Sequence, residues 1–259
     1  MIPDIIKSQY SERYCESSEL DTIIFYERAR NDKFFNPTVE IADYDSIKKI
    51  IEKSILQGYD RFILFENTNE LADYSKPVND ILNKYVHLDI TVIKVNALGY
   101  PLAHMAIDSE KIVKTTDSID NVMSYINSVR DSFKVYFYSP KENVLPSIKR
   151  VDFDDDVISS STNGKLFLYD GSLSEIKKDK ESYLEKLFEL YMEDIEDNKV
   201  VPFIMYTNNY SLYNDVIERK LLSIFLRLKT IKKYPIPAVL GQQVGYNAVG
   251  VGFIKKVEE

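Results

Sequence analysis

The chain has 259 residues, with 33 Lys and Arg against 41 Asp and Glu, a formal net charge of −8. That balance removes the whole-molecule attraction to phosphate, so no nucleic-acid partner is expected. Hydrophobic residues make up 44%, which excludes disorder for the bulk of the chain, and the lone cysteine, Cys15, excludes an internal disulfide framework or a multi-cysteine metal site. No apolar run approaches the ~18 residues of a spanning helix, and MIPDIIKSQY has no stretch of signal-peptide length. The expectation is a cytoplasmic protein that does not span a membrane.

In chain order, Ser18 to Asp21 resembles a helix start, with a helix running to about Arg30. Asp45 opens a clearer helix whose apolar face is Ile47, Ile50, Ile51 and Ile55, and Gly58 stands where a left-handed residue closes it. RFILFE (61–66) reads as a buried strand, 75–85 as a helix with Pro77 in its first turn, and ITVIKV (90–95) as a second buried strand. This alternation predicts a right-handed parallel βαβ unit, with 61–66 beside 90–95. Asp117 is placed as the cap of a helix carrying Ile119, Val122, Met123, Ile126 and Val129.

The texture then changes. KVYFYS (134–139) is a strand, and 140–164 is an irregular acidic stretch. KLFLY, Asp170-Gly171 and SLSEI form a hairpin with a type I′ turn. An amphipathic helix (181–196), a strand (200–206), a helix (210–229) and two closing strands (237–241 and 249–254) follow. The reading is α/β: an N-terminal α/β domain with a parallel sheet, 1–132, and a C-terminal α+β domain with a mostly antiparallel sheet, 133–259.

Chemistry-bearing motifs are sparse. DFDDD (152–156) lacks the glycine turn and bidentate Glu of a calcium loop and reads as a solvated acidic loop. His87 and His104 have no Glu or His four residues on, and no G-x-S-x-G occurs, so neither a metal site nor a triad is expected. Neither phosphate-cradling glycine pattern is present, and no cofactor is expected. Cys15 has no evident activating base. Lys229, Lys232 and Lys233 are assigned to a helix end. No set of acid, base and nucleophile points to an enzyme. The segment 241–252 holds four of the eight glycines, and two readings stand: a tight connection between strands, or a ligand-facing turn with Gln243 and Asn247 offering amides.

PAVLGQQVGYNAVGVGF resembles the closing pattern P-x-x-G-x-H-x-G-P-G-x-x-G-x-x-F of the DegV family, the fatty-acid-binding subunits of bacterial fatty acid kinase. The order of the other motifs resembles it too. FYERA then PTVE (37–40) stand for F-Y and the T-S-Q-P turn, and QGYDRFILFE for the E-G-Y-D strand. NELADYSKPV (69–78) stands for L-S-G-T-Y-Q-S-A, and VYFYSPKENVLPSIKRV for the strand and turn ending G-G-R-I. The resemblance covers about 19–254 and implies a DegV-like two-domain fold that holds an acyl chain in an apolar tunnel, non-catalytic by itself, with a separate kinase as partner. It implies ligand-binding positions at Thr38, Glu40, Ala72, Tyr74, Gln243, Gly245 and Asn247, and Arg150 as either a partner-docking residue or a plain surface arginine.

The departures bear on the ligand. The family's Ser falls on Ala72 and its His on Gln243. The T-S-Q-P hydroxyls shrink to Thr38, with Glu40 beside it, and G-P-G becomes Tyr246-Asn247. The family's first strand and its Asp-Ser turn have no evident counterpart at IPDIIK. An altered headgroup site is the first expectation. A degenerate member that binds no fatty acid and acts as a scaffold, paired with an intact paralogue, is the alternative.

Overall fold

The computed structural model describes residues 4–6, 28–30, 38–40, 44–56, 58–59, 61–68, 75–116, 118–140, 158, 161–177, 182–195, 199–207, 212–245 and 247–256. The chain forms two compact units, one of Met1–Asp131 with Pro237–Val239, the other of Ser132–Ile236 with Leu240–Glu259.

In the first unit β1 (Asp4–Ile6), β4 (Arg61–Asn67) and β5 (Asp89–Val95) form a parallel sheet in the order β1-β4-β5. The pairing of β4 with β5 is parallel from Arg61↔Asp89 to Asn67↔Val95, as the two apolar runs predict. β1 corrects the expectation that the first strand is missing: Asp4-Ile5-Ile6 pairs with Phe62-Ile63-Leu64. A second small sheet joins β2 (Arg28–Arg30) to β3 (Thr38–Glu40) antiparallel, so residues 28–30 are strand and not the end of a helix.

Helix α1 (Tyr44–Leu56) ends as its sequence requires. Gly58, at φ +96°, donates to Ile55 O at 2.9 Å, and Tyr59 donates to Ser54 O at 3.1 Å. This pair of bonds satisfies the terminal carbonyls, and the φ suits Gly because it has no Cβ. α2 (Ser75–Lys84) crosses from β4 to β5 and packs on α1. Lys84 Nζ lies 3.6 Å from Glu52 Oε1, and the Tyr85 hydroxyl donates to the same atom at 3.1 Å. α3 (Tyr100–Thr116) packs on β1 and on α4 (Ile119–Val129). The α4 cap is Ser118, whose hydroxyl accepts from Asn121 N–H, and not Asp117, which lies outside the described residues. On α3, His104 Nε2 is 3.3 Å from Asp108 Oδ2, and Nδ1 is 3.4 Å from the Tyr100 hydroxyl; His87 is exposed.

The second unit is built on a six-stranded mixed sheet in the order β10-β9-β11-β6-β7-β8. Its strands are β6 (Phe133–Pro140), β7 (Gly164–Tyr169), β8 (Leu173–Ile176), β9 (Val200–Tyr206), β10 (Lys232–Pro235) and β11 (Val249–Lys255). All pairs are antiparallel except β9 with β10. The hairpin β7–β8 is real, but Tyr169 pairs with Leu173, so three residues, Asp170 to Ser172, make the connection. The Asp170 side chain accepts from Ser172 N–H, which extends the two-residue turn expected from Asp-Gly.

α5 (Tyr183–Ile195) and α6 (Leu212–Ile224) lay their apolar faces on this sheet, with Leu187, Tyr191, Ile217 and Leu221 against Ile204, Val251 and Phe253. A fully buried residue of this kind contributes roughly 1.5–3 kcal/mol, an exposed ion pair about 0.2–1 kcal/mol. The core therefore holds the unit, and the Lys134–Asp194 pair at 2.7 Å trims it. Tyr136 also donates to Asp194, and burial together with that carboxylate pushes its phenol above the usual tyrosine range.

Two further expectations are corrected. α6 ends at Ile224, so Lys229 lies beyond it and Lys232 and Lys233 lie on β10, where Lys233 pairs with Glu218 at 2.6 Å. Residues 237–241 are not a strand: α7 (Ala238–Val244) occupies that stretch.

Candidate ligand-binding site

Two edges of the described sheets bring polar groups together beside segments that sequence assigns to a ligand. In the first unit this is the carboxyl edge of the parallel sheet. Open α/β sheets place ligands outside the carboxyl ends of their strands, where the connections leave the sheet. β4 ends there in Glu66-Asn67, and Thr68 N–H donates to Val95 O at 2.9 Å, tying the outgoing chain to β5. Asn67 is buried, and Glu66 is only 4% exposed. The Glu66 carboxylate faces Lys94 across the β4–β5 register, with Nζ at 3.6 Å. The lysine side chain is 67% exposed, so the pair joins a buried charge to a solvated one. Among the described residues no hydrogen bond reaches the Glu66 carboxylate.

The second edge is the turn from α7 into β11. Gly245 has φ +98° and closes α7 by donating to Gly241 O at 2.9 Å. Only Gly adopts that φ without strain, and here the reason is local. Ala248 N–H then donates to Gly245 O, and Thr207, one residue past β9, donates through both N–H and hydroxyl to Ala248 O. The half-buried Ser139, near the end of β6, puts its hydroxyl beside Gly245: a Cβ there would lie 3.1 Å from Oγ. Ser139, Thr207, Gly245 and Asn247 therefore share one end of the sheet. Gln243, which stands at the family's His position, is exposed on the last turn of α7. Its amide donates and accepts but carries no charge.

The remaining glycines of this segment have another role. Gly250 and Gly252 lie inside β11, paired with Phe137 and Phe203 respectively. A Cβ at Gly250 would sit 2.5 Å from the Phe137 ring, and one at Gly252 would collide with the Phe203 ring. These two glycines make room for aromatic rings over the sheet. That half of the segment follows the plain reading, while Gly241 and Gly245 keep the turn.

Thr38 and Glu40 are the first and last residues of β3. Ala72, Tyr74 and Arg150 lie outside the described residues, as do Cys15 and DFDDD (152–156). Sequence reasoning passed over Glu66, Ser139 and Thr207. Glu66 did leave a signal, a carboxylate directly after the apolar run Phe62 to Phe65. Ser139 and Thr207 left none, because their proximity to Gly245 depends on strand order.

Among the described residues no helix is long and apolar enough to cross a membrane, and no group of three or more His, Cys, Asp or Glu could hold a metal ion.

A family model described as "Uncharacterised protein, DegV family" matches residues 6–256. No curated protein is similar enough in sequence to count as a relative. Among solved structures, a DegV family protein from Corynebacterium glutamicum is 12% identical with all of both chains covered and a TM-score of 0.72. DegV from Bacillus subtilis, described as a fatty acid binding protein, is 14% identical, with 99% of this chain and 100% of that one covered and a TM-score of 0.68. A Thermotoga maritima protein, described as revealing fatty acid binding function, is 18% identical, with 85% of this chain and 78% of that one covered and a TM-score of 0.60.

Proposed function

This chain belongs to the DegV family, and on that premise we propose that it binds an acyl lipid without transforming it, through a headgroup site altered from the family's pattern. The observation that carries the reading is full-length likeness in fold to a protein described as fatty-acid binding. In this reading the protein works in the cytoplasm as two domains, 1–132 and 133–259. The ligand residues are Thr38, Glu40, Ala72, Tyr74, Gln243, Gly245 and Asn247, to which the second unit adds Ser139 and Thr207. A kinase subunit is the partner by family analogy, docking at Arg150.

The altered headgroup site has a direct consequence. Ala72 donates nothing, and an exposed, uncharged Gln243 stands in place of a His. Each hydrogen bond to a charged group contributes roughly 1.5–3 kcal/mol, so two losses cost a carboxylate ligand about 3–6 kcal/mol, or ~10²–10⁴ in affinity. Native mass spectrometry with extraction of bound lipid tests the reading itself. Calorimetry with hexadecanoate, on the native chain and on Ala72→Ser/Gln243→His, tests the altered site. Tighter binding by the double variant is the expected outcome. Submicromolar binding by the native chain, unchanged in the variant, contradicts it.

The same substitutions favour a second reading, a scaffold paired with an intact paralogue. Absence of any lipid in native mass spectrometry, together with capture of such a paralogue, would establish it over the first.

A further inference from the structure

We propose that the corner of the second unit between α6 and β10 docks on an anionic lipid bilayer. The acyl-lipid reading above makes no use of this surface. α6 ends at Ile224, and the residues from Leu226 to Thr230 are all exposed before β10 begins at Lys232. Two of them are leucines, Leu226 at 85% exposed and Leu228 at 40%. The segment is held at both ends. Phe225 packs against the core and donates its N–H to Leu221 O at 2.8 Å, and Ile231 is buried in the same core. A single exposed leucine is ordinary; two in one short exposed run, set among cations, make a patch.

The cations come from three neighbouring strands and the turn itself. Arg227 stands between the leucines, Lys229 follows them, and Lys232 opens β10. β10 lies beside β9 and β9 beside β11, with Lys232 opposite Phe203 and Lys255 opposite Val200. At a strand spacing of about 4.8 Å and a rise of about 3.3 Å per residue, the Cα atoms of Lys232 and Lys255 are roughly 14 Å apart. Lys256 N–H donates to Lys199 O at 2.8 Å, which keeps it at the same end. Arg227, Lys229, Lys232, Lys255 and Lys256 are all exposed and make no ion pair among the described residues. Asp194 on α5 and Glu218 on α6 are paired with Lys134 and Lys233. On a chain of net charge −8, this is a local concentration of the opposite sign. Protein interfaces centre on aromatic residues and are depleted of lysine. Leucine among lysine and arginine suits a headgroup layer, where apolar side chains insert and cations meet lipid phosphates. The Ser139, Thr207 and Gly245 turn lies at the other end of the sheet, one strand length or roughly 20 Å away, so the two surfaces are separable by mutation.

Cosedimentation at pH 7 in about 0.1 M salt tests this, with vesicles of phosphatidylglycerol and phosphatidylcholine in equal parts and vesicles of phosphatidylcholine alone. The native chain is expected to bind the mixed vesicles and not the neutral ones. Each cation near such a surface contributes about fivefold in affinity, so Lys229→Gln/Lys232→Gln should weaken binding about twenty-fivefold. Leu226→Ser/Leu228→Ser should weaken it about tenfold. All four side chains are exposed, so the urea midpoint should hold in both variants. Equal binding to the two vesicles overturns the inference, and so does mixed-vesicle binding that neither variant changes. Absence of vesicle binding overturns it too, and leaves the corner to an acidic protein. In each case lipid copurification decides the acyl-lipid reading independently.

Discussion

Within twelve residues the chain uses glycine in two opposite ways. Gly250 and Gly252 lie in the centre of a six-stranded sheet, and the rings of Phe137 and Phe203 occupy the space a side chain would take. Gly241 and Gly245 lie at the edge of the same sheet, in and just after α7, with Thr207 and Ser139 near them. The first pair belongs to the core. The second shapes a turn beside the hydroxyls of Ser139 and Thr207, with Gly241 buried in α7 and Gly245 half-buried after it. Glycine density alone, which left a tight connection and a ligand-facing turn equally open, does not separate these roles; strand pairing does.

The comparison can be broken most readily at the strand pair. Gly252→Ala should destabilise the protein by about 1–3 kcal/mol, since Phe203 must leave its place, and Gly250→Ala should behave alike. Urea unfolding measures this, and an unchanged midpoint in both variants would remove the distinction. Gly245→Ala should cost about 1–2 kcal/mol, because a Cβ at φ +98° is strained wherever it points.

A third test uses the other face of β6, where Tyr136 and Tyr138 sit behind the strand that carries Phe137. Burial, first of all, raises both phenols above the usual range. A raised folded pKa means the folded state holds the proton more tightly, so this contribution is complete below pH 10 and fades as pH rises above it. Stability measured at pH 8 and pH 11 should fall, and Tyr136→Phe should reduce that fall by about 1 kcal/mol. The smallest effect has the opposite sign. Gly241 is helical, and a Cβ there meets only Thr207 at an ordinary 3.6 Å. Gly241→Ala should therefore stabilise by about 0.5–1 kcal/mol. If the turn faces the ligand, the same variant should lose lipid binding while gaining stability.

Much of the architecture was legible where two signals agreed. Ile47, Ile50, Ile51 and Ile55 followed by Gly58 specified α1 and its end, and two apolar runs around one helix specified the β4–β5 pairing. α3 was missed because its first two turns, Tyr100 to Ala106, are buried at every position but His104, and that near-continuous burial masks the period. Residues 237–241 failed for the reverse reason: five residues are too few to tell a strand from a helical turn. β1 was missed because three residues gain strand identity only from their partner, β4. The candidate ligand positions were legible only as motif matches, and Gln243 was named in that way. The grouping of Ser139, Thr207 and Gly245 was not, since it depends on strand order, a property of the fold.

The place of β11 has a consequence for how the protein is made. The last strand of the chain lies in the middle of the sheet, between β9 and β6, and not at an edge. Until residues 249–255 have left the ribosome, β10-β9 and β6-β7-β8 are two separate ribbons, each with an unpaired edge where β11 will enter. A hairpin such as β7–β8 can form as it emerges, but the second unit closes only after translation has passed its final strand. During that interval the exposed edges are open to pairing with other chains.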